Sequence, residues 1–239
     1  YRGSLWLLSG ERTADFLRKI SPEETSRPEI VQALEILQTV WFTHAKFSNT
    51  ANIAFHDPVK SLIMAKGISD PWFRCQTLSS IAKITSEDNI RKVAFKESLE
   101  SAKETVEPNR VGKVSSWPLV ALADFCMTDW LDREIPIIID ILKTEPHPYR
   151  RLDALKMLLI PTFHSSQEVY INLIEEIGRT ANEAYGWKVA SLLGIASKEI
   201  NPYDHNTAIE IAMMIRNLRT RRHILRSIGE CELAESYYS

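Results

Sequence analysis

Apolar residues along this chain recur at intervals of three and four, and no stretch alternates apolar with polar residues as a half-buried strand does. Residues 29–42, 90–99, 135–142, 169–174 and 208–215 each read as a helix with one apolar stripe. Punctuation falls regularly at Ser21-Pro22, Arg27-Pro28, Asp57-Pro58, Asp70-Pro71, Glu107-Pro108, Glu145-Pro146, Pro148 and Asn201-Pro202. Asp or Ser followed by Pro suits the N-cap and N1 positions of a helix, because proline lacks only an N–H that would be unpaired there. These prolines therefore predict helix starts and inter-helix turns. The expectation is an all-α chain of about twelve helices, each of roughly 10–20 residues, joined by short turns.

The helices repeat. In Arg74-Cys75-Gln76-Thr77-Leu78-Ser79-Ser80-Ile81-Ala82 a cation is followed four positions on by a large apolar residue and seven positions on by a second. A small residue then closes the frame. The pattern recurs at Lys113…Trp117…Val120-Ala121, Arg151…Leu155…Leu158-Leu159, Lys188…Leu192…Ile195-Ala196 and Arg221…Leu225…Ile228-Gly229, with anchors 39, 38, 37 and 33 residues apart. Positions i, i+4 and i+7 share one helical face, and a second helix lies between successive anchors. One hairpin cannot bury such a stripe alone, but stacked hairpins make it continuous. Ala82, Ala121 and Ala196 are expected against neighbouring helices, with Leu78, Leu192 and Leu225 buried beside them.

The pattern resembles the HEAT-like and TPR-like α-helical repeat proteins, on the unit Ile68-Ser69-Asp70-Pro71-Trp72-Phe73-Arg74…Leu78-Ser79-Ser80-Ile81-Ala82 and its relatives over residues 57–229. The resemblance is one of architecture, and the characteristic Trp and Gly-Tyr positions of the TPR are unmatched. It implies a superhelical scaffold that binds other molecules through a groove. The expected fold is a right-handed α-solenoid of stacked helix-turn-helix repeats, with a globular helical bundle as the alternative. Residues 1–56 fall outside the frame and are expected to form an atypical N-terminal helical cap. Residues 57–239 are expected to supply about five hairpins of 33–39 residues, continuous with the cap as one domain.

Composition narrows this picture modestly. With 239 residues and 44% hydrophobic against 25% charged, the chain is long and apolar enough for a sizeable core and unlike a disordered or collagenous sequence. No apolar run approaches the roughly 18 residues of a membrane span. Lys plus Arg number 29 against 31 Asp plus Glu, so bulk charge makes no case for a dedicated nucleic-acid binder. Cys75, Cys126 and Cys231 are few, odd in number and far apart, which favours free thiols and a cytoplasmic location. The sequence opens at Tyr1 rather than Met, so a preceding stretch, including a removed targeting segment, is an open expectation.

Catalytic chemistry finds little support. His44, His56, His147, His164, His205 and His223 form no HExxH, ExxH or close pair. His56-Asp57 resembles the His-Asp pair of metal-dependent all-α phosphohydrolases, yet Asp57 before Pro58 reads more simply as a helix cap. Glu23-Glu24 and Glu175-Glu176 point about 100° apart on a helix, so they read as solvated faces rather than catalytic pairs. Gly112, Gly178, Gly186 and Gly194 are isolated and make no phosphate loop. The chain is expected to be no enzyme and to need no metal or cofactor.

Binding signals are stronger. The frame cations Arg74, Lys113, Arg151, Lys188 and Arg221 sit where the helix dipole disfavours positive charge. Asp70, Glu107, Glu145 and Glu183 lie four to six residues upstream, so a structural ladder of inter-helix ion pairs is the favoured reading over a cationic groove. Trp72, Trp117, Tyr149 and Trp187 recur near the frame cations and read as wedges between hairpins, with a stacking platform as the alternative. Between Arg216 and Arg226 five arginines occur in eleven residues with no acid. Arg216, Arg219, Arg222 and Arg226 are the candidate site for an anionic partner. The expected function is a non-enzymatic helical-repeat scaffold for a protein or peptide. The alternatives are a nucleic-acid-binding HEAT-like protein, including the DNA-repair glycosylase type, and a metal-dependent all-α phosphohydrolase.

Overall fold

The computed structural model describes residues 50, 53, 54 and 56–236. The proposed cap over residues 1–56, with His44 and Glu23-Glu24, lies almost wholly outside the described residues. Twelve helices and no strand occur among the described residues: α1 (Pro58–Lys66), α2 (Pro71–Ile84), α3 (Asp88–Lys103), α4 (Pro108–Asp124), α5 (Thr128–Lys143), α6 (Pro148–Lys156), α7 (Leu159–Phe163), α8 (Gln167–Glu183), α9 (Trp187–Ile200), α10 (His205–Met213), α11 (Leu218–Ser227) and α12 (Cys231–Glu235).

Local chemistry explains where these helices start. Pro58, Pro71, Pro108 and Pro148 each occupy the first helical position. Asp57 Oδ1 accepts from Lys60 N at 2.9 Å, and Asp70 Oδ1 accepts from Trp72 N at 2.8 Å. Asp204 and Asn217 cap α10 and α11 in the same manner, accepting from Thr207 N at 3.0 Å and Thr220 N at 2.9 Å. Each cap satisfies an amide that the helix itself leaves unpaired.

Principal contacts join helices close in sequence. Helices α2, α4, α6, α9 and α11 contact one another in that order, while α3, α5, α8 and α10 lie against them as a second set. Burial follows the repeat frame: Ala82, Ala121 and Leu159 are fully buried, as are Leu78, Leu155 and Leu225, with Ala196 and Leu192 nearly so. One continuous core runs from Ala54 to Ala234. Four frame positions depart from it. Trp117 and Val120 are half-buried, Gly229 is an exposed turn residue with φ 101°, and Ile195 is 42% exposed because it faces an open groove beside α11.

Three other prolines among the described residues neither start helices nor fill turns. Pro161 lies in the first turn of the short α7, so the segment that carries the Arg151 frame breaks at Met157–Leu158 into α6 and α7. Pro118 and Pro136 sit inside α4 and α5. A proline at 118 cannot donate to Val114 O four residues earlier. The buried Cys75 thiol of α2 does so instead, with Sγ 3.6 Å from that carbonyl. Burial pushes this thiol up to about 12, so it stays protonated and a donor. Cys75→Ala should therefore cost about 1–3 kcal/mol in urea denaturation, through an unsatisfied carbonyl and a small cavity. In a Pro118→Ala background, where residue 118 regains its N–H, the penalty should shrink by about 1 kcal/mol. Equal penalties in both backgrounds would show that the thiol bond contributes nothing.

Ion pairs also link helices distant in sequence. Lys66 pairs with Glu97 at 2.7 Å, Lys83 with Asp124 at 2.8 Å and Lys103 with Glu134 at 3.0 Å, while Lys113 reaches Asp153. Exposed pairs of this kind are worth about 0.2–1 kcal/mol each, so their main effect is on register. Glu134 differs, being 7% exposed. Burial raises its carboxyl, but donation from Lys103 and Arg133 outweighs that and holds it below the usual value of 4.5. A depressed carboxylate stabilises above its unfolded pKa, and that stability is lost as pH falls through the native one. Between pH 7 and pH 3 the urea midpoint of the wild type should therefore drop more steeply than that of Glu134→Gln. Parallel pH profiles would remove Glu134 as a source of acid sensitivity.

Candidate functional site

Four of the five frame cations are held by the chain's own acceptors, while Lys188 is exposed. Arg74 donates from Nε to Ser101 Oγ at 2.9 Å and from Nη1 to Ile68 O at 3.0 Å, and it pairs with Glu104. Arg151, only 9% exposed, reaches Lys143 O at 3.4 Å and pairs with Glu183. Arg221 donates from Nε to Ile215 O at 2.7 Å. In each case the guanidinium binds a carbonyl near the end of the preceding helix, where acceptors are left over. Lys113 pairs with Asp153, and Lys188 lies over the rings of Tyr149 at 5.6 Å and Trp187 at 6.0 Å.

The upstream acids are not the partners of their own unit's cation. Asp70 caps α2, and Glu107 and Glu145 both meet Arg150. Glu183 joins Arg151 of the unit before it. The true partners sit one unit away in sequence, which i-to-i+6 spacing cannot reveal. Glu176 also departs from the solvated-face reading: it is 2% exposed, pairing with Arg179 and accepting from Thr180 Oγ1 at 3.3 Å. Asp57 serves as the α1 cap beside an exposed His56. No cluster of three or more His, Cys, Asp or Glu suited to a metal occurs among the described residues.

The aromatics divide. Trp72 and Trp117 meet edge to face with ring centroids 5.4 Å apart and close a small cluster with Cys75, Ala102 and Val114. Trp187 and Tyr185 are 76% and 79% exposed. They flank Gly186, whose φ of 103° turns the chain from α8 into α9 and suits a residue without Cβ.

That turn borders a groove of about 680 Å³ between α9, α11 and the end of α8. Val189, Ala190, Leu193, Ile195, Met214 and Ile224 form its apolar floor, and Tyr185, Trp187, Lys198, Arg216 and His223 stand around it. Among the described residues no Asp or Glu lines it. A second cavity of about 460 Å³ opens between α2, α4, α6 and α7, bordered by Trp117, Val120, Met157 and Ile160. A smaller one of about 220 Å³, lined by Asp140, Glu175, Glu176 and Arg179 among others, lies between α5 and α8.

The C-terminal arginines are only partly gathered. Helix α11 runs unbroken through Thr220, so Arg219, Arg222 and Arg226 share a side of it, while Arg216 precedes it in the turn. Arg219 and Arg226 are exposed, whereas Arg222 is half-buried and, like Arg221, engaged within the chain. Arg216 lies over the Tyr185 ring at 4.7 Å and donates from Nη2 to Asn182 O and Oδ1, both at 3.2 Å. Sequence reasoning found Arg216 and Trp187 separately but missed Tyr185, Ile195, Lys198 and His223 as their neighbours. The available signal was Tyr185-Gly186-Trp187, two large aromatics around a turn glycine.

No helix among the described residues is long and apolar enough to cross a membrane. No protein-family model matches the chain, and neither a curated protein nor a solved structure does.

Proposed function

We propose that the chain is an α-solenoid of stacked helix hairpins, HEAT-like and TPR-like in architecture, serving as a non-enzymatic scaffold for a protein or peptide. The neighbour-to-neighbour contact order and the inter-unit ion pairs support the architecture. The observation that carries the binding reading is the placement of two cavities along the α2–α4–α6–α9–α11 set, with Trp187, Met157 and Ile195 exposed there. Large exposed apolar side chains beside concave surface are the usual mark of a protein contact. Inward pairing of Arg74, Lys113 and Arg151 argues against a cationic groove along that face.

A photo-crosslinking amino acid placed at Met157, and separately at Ile171 on exposed α8 surface, tests this. The expected result is one discrete polypeptide adduct from position 157 and none from 171, with the purified partner then binding in solution. Adducts made of nucleic acid, or equal labelling from both positions, would overturn the reading.

A further inference from the structure

We propose that the α9–α11 groove takes an acidic peptide segment bearing a bulky apolar side chain, an assignment that rests on the scaffold reading and names its ligand. The apolar group seats on the floor of Val189, Leu193, Ile195 and Ile224, and the peptide's carboxylates meet Lys198 and Arg216.

Charge complementarity carries the choice of occupant. Among the described residues Lys198 and Arg216 line the groove and no acid does, so the charge they bring to it is unbalanced. The acids adjacent in sequence to the lining residues Ala184 and Lys198 are committed elsewhere, Glu183 to Arg151 and Glu199 to Lys156. Neither Lys198 nor Arg216 has a carboxylate partner among the described residues. Arg216 is also held in place: Tyr185 stacks beneath it and Asn182 accepts from one terminal nitrogen. A guanidinium already ordered loses less entropy when a carboxylate arrives, and it can bind bidentately.

Shape decides against the other anionic partner. Ser191, Ile195 and Lys198 continue an exposed stripe from Trp187 along α9, about 16 Å long at 1.5 Å per residue. That length accepts about five extended residues. The apolar floor and the lip of Tyr185 and Trp187 suit a side-chain anchor. A nucleic acid needs a row of phosphate contacts, and Arg219 and Arg226, the remaining exposed arginines of α11, do not line the groove.

The test selects binders of the full chain from a phage-displayed library of random peptides about twelve residues long, more than twice the span of the stripe. Enriched sequences should place Asp or Glu around an aromatic or long aliphatic residue. A synthetic peptide from that set should lose about tenfold or more in affinity with Trp187→Ala, and similarly with Lys198→Glu/Arg216→Glu. Arg226→Glu, outside the groove, should change little. All of these positions are exposed, and matching circular dichroism and melting temperatures would show that the variants fold. A library with no enrichment, enrichment of basic or uncharged sequences, or affinity indifferent to Trp187→Ala would each overturn the proposal. So would a single-stranded RNA that binds more tightly than the best peptide, with affinity falling steeply between about 50 and 200 mM salt. Crosslinking from Met157 reports on the wider face independently. A partner captured there with no peptide selected here would sink this assignment alone.

Discussion

Gly112→Leu should destabilise the protein by about 3 kcal/mol or more, at or beyond the upper end of ordinary overpacking penalties. Gly112 lies in α4 where α5 and α6 converge. A Cβ there would come within 2.9 Å of both Leu142 methyls and 3.1 Å of Ala154 Cβ. Both neighbours are fully buried, so the room to yield must come from moving helices. The intrinsic helix preference that disfavours glycine by about 1 kcal/mol is too small to compensate. Gly178 in α8 supplies the contrast. Its added Cβ would meet Met214 Cε at 3.4 Å, an ordinary contact, so Gly178→Ala should stabilise by about 0.5–1 kcal/mol. Urea midpoints at unchanged m-value measure both. An undamaged Gly112→Leu would mean that α4, α5 and α6 do not meet as described.

Leu78→Ala should cost about 2–5 kcal/mol, the range for truncating a buried leucine whose site cannot collapse. Leu78 is fully buried in α2, among Ile81, Ala82, Phe95 and Leu99 of the continuous core. Ile195→Ala makes the informative comparison. Ile195 holds the second apolar position of the same frame in α9, yet it is 42% exposed. Its truncation should cost no more than about 0.5–1.5 kcal/mol, because much of its side chain already meets water. Equal penalties at the two sites would show that the frame residue of α9 is buried after all, closing the groove that the binding proposal needs.

Sequence alone determined the all-helical character, the starts of α1, α2, α4 and α6 at their prolines, and most of the face that the frame helices bury. Those features follow from interactions within one or two turns: the 3.6-residue period, an Asp oxygen two or three residues from an unpaired amide, and a proline whose missing N–H costs nothing at N1. Asp57, Asp70 and the buried Leu78–Ala82 frame were legible for that reason. Tertiary structure alone decided the longer-range features. Arg74 takes Glu104 rather than nearby Asp70, and Cys75 supplies the donor that Pro118 removed from Val114. The same holds for the site: Arg216 and Trp187 stand out along the chain, but Lys198, Ile195 and His223 join them only because α11 lies beside α9. Periodicity states which face of a helix turns inward. Which residues meet across thirty or more positions depends on how far and at what angle one helix pair is set against the next, and that is fixed by side-chain volumes such as the close approach of Gly194 to Ile224.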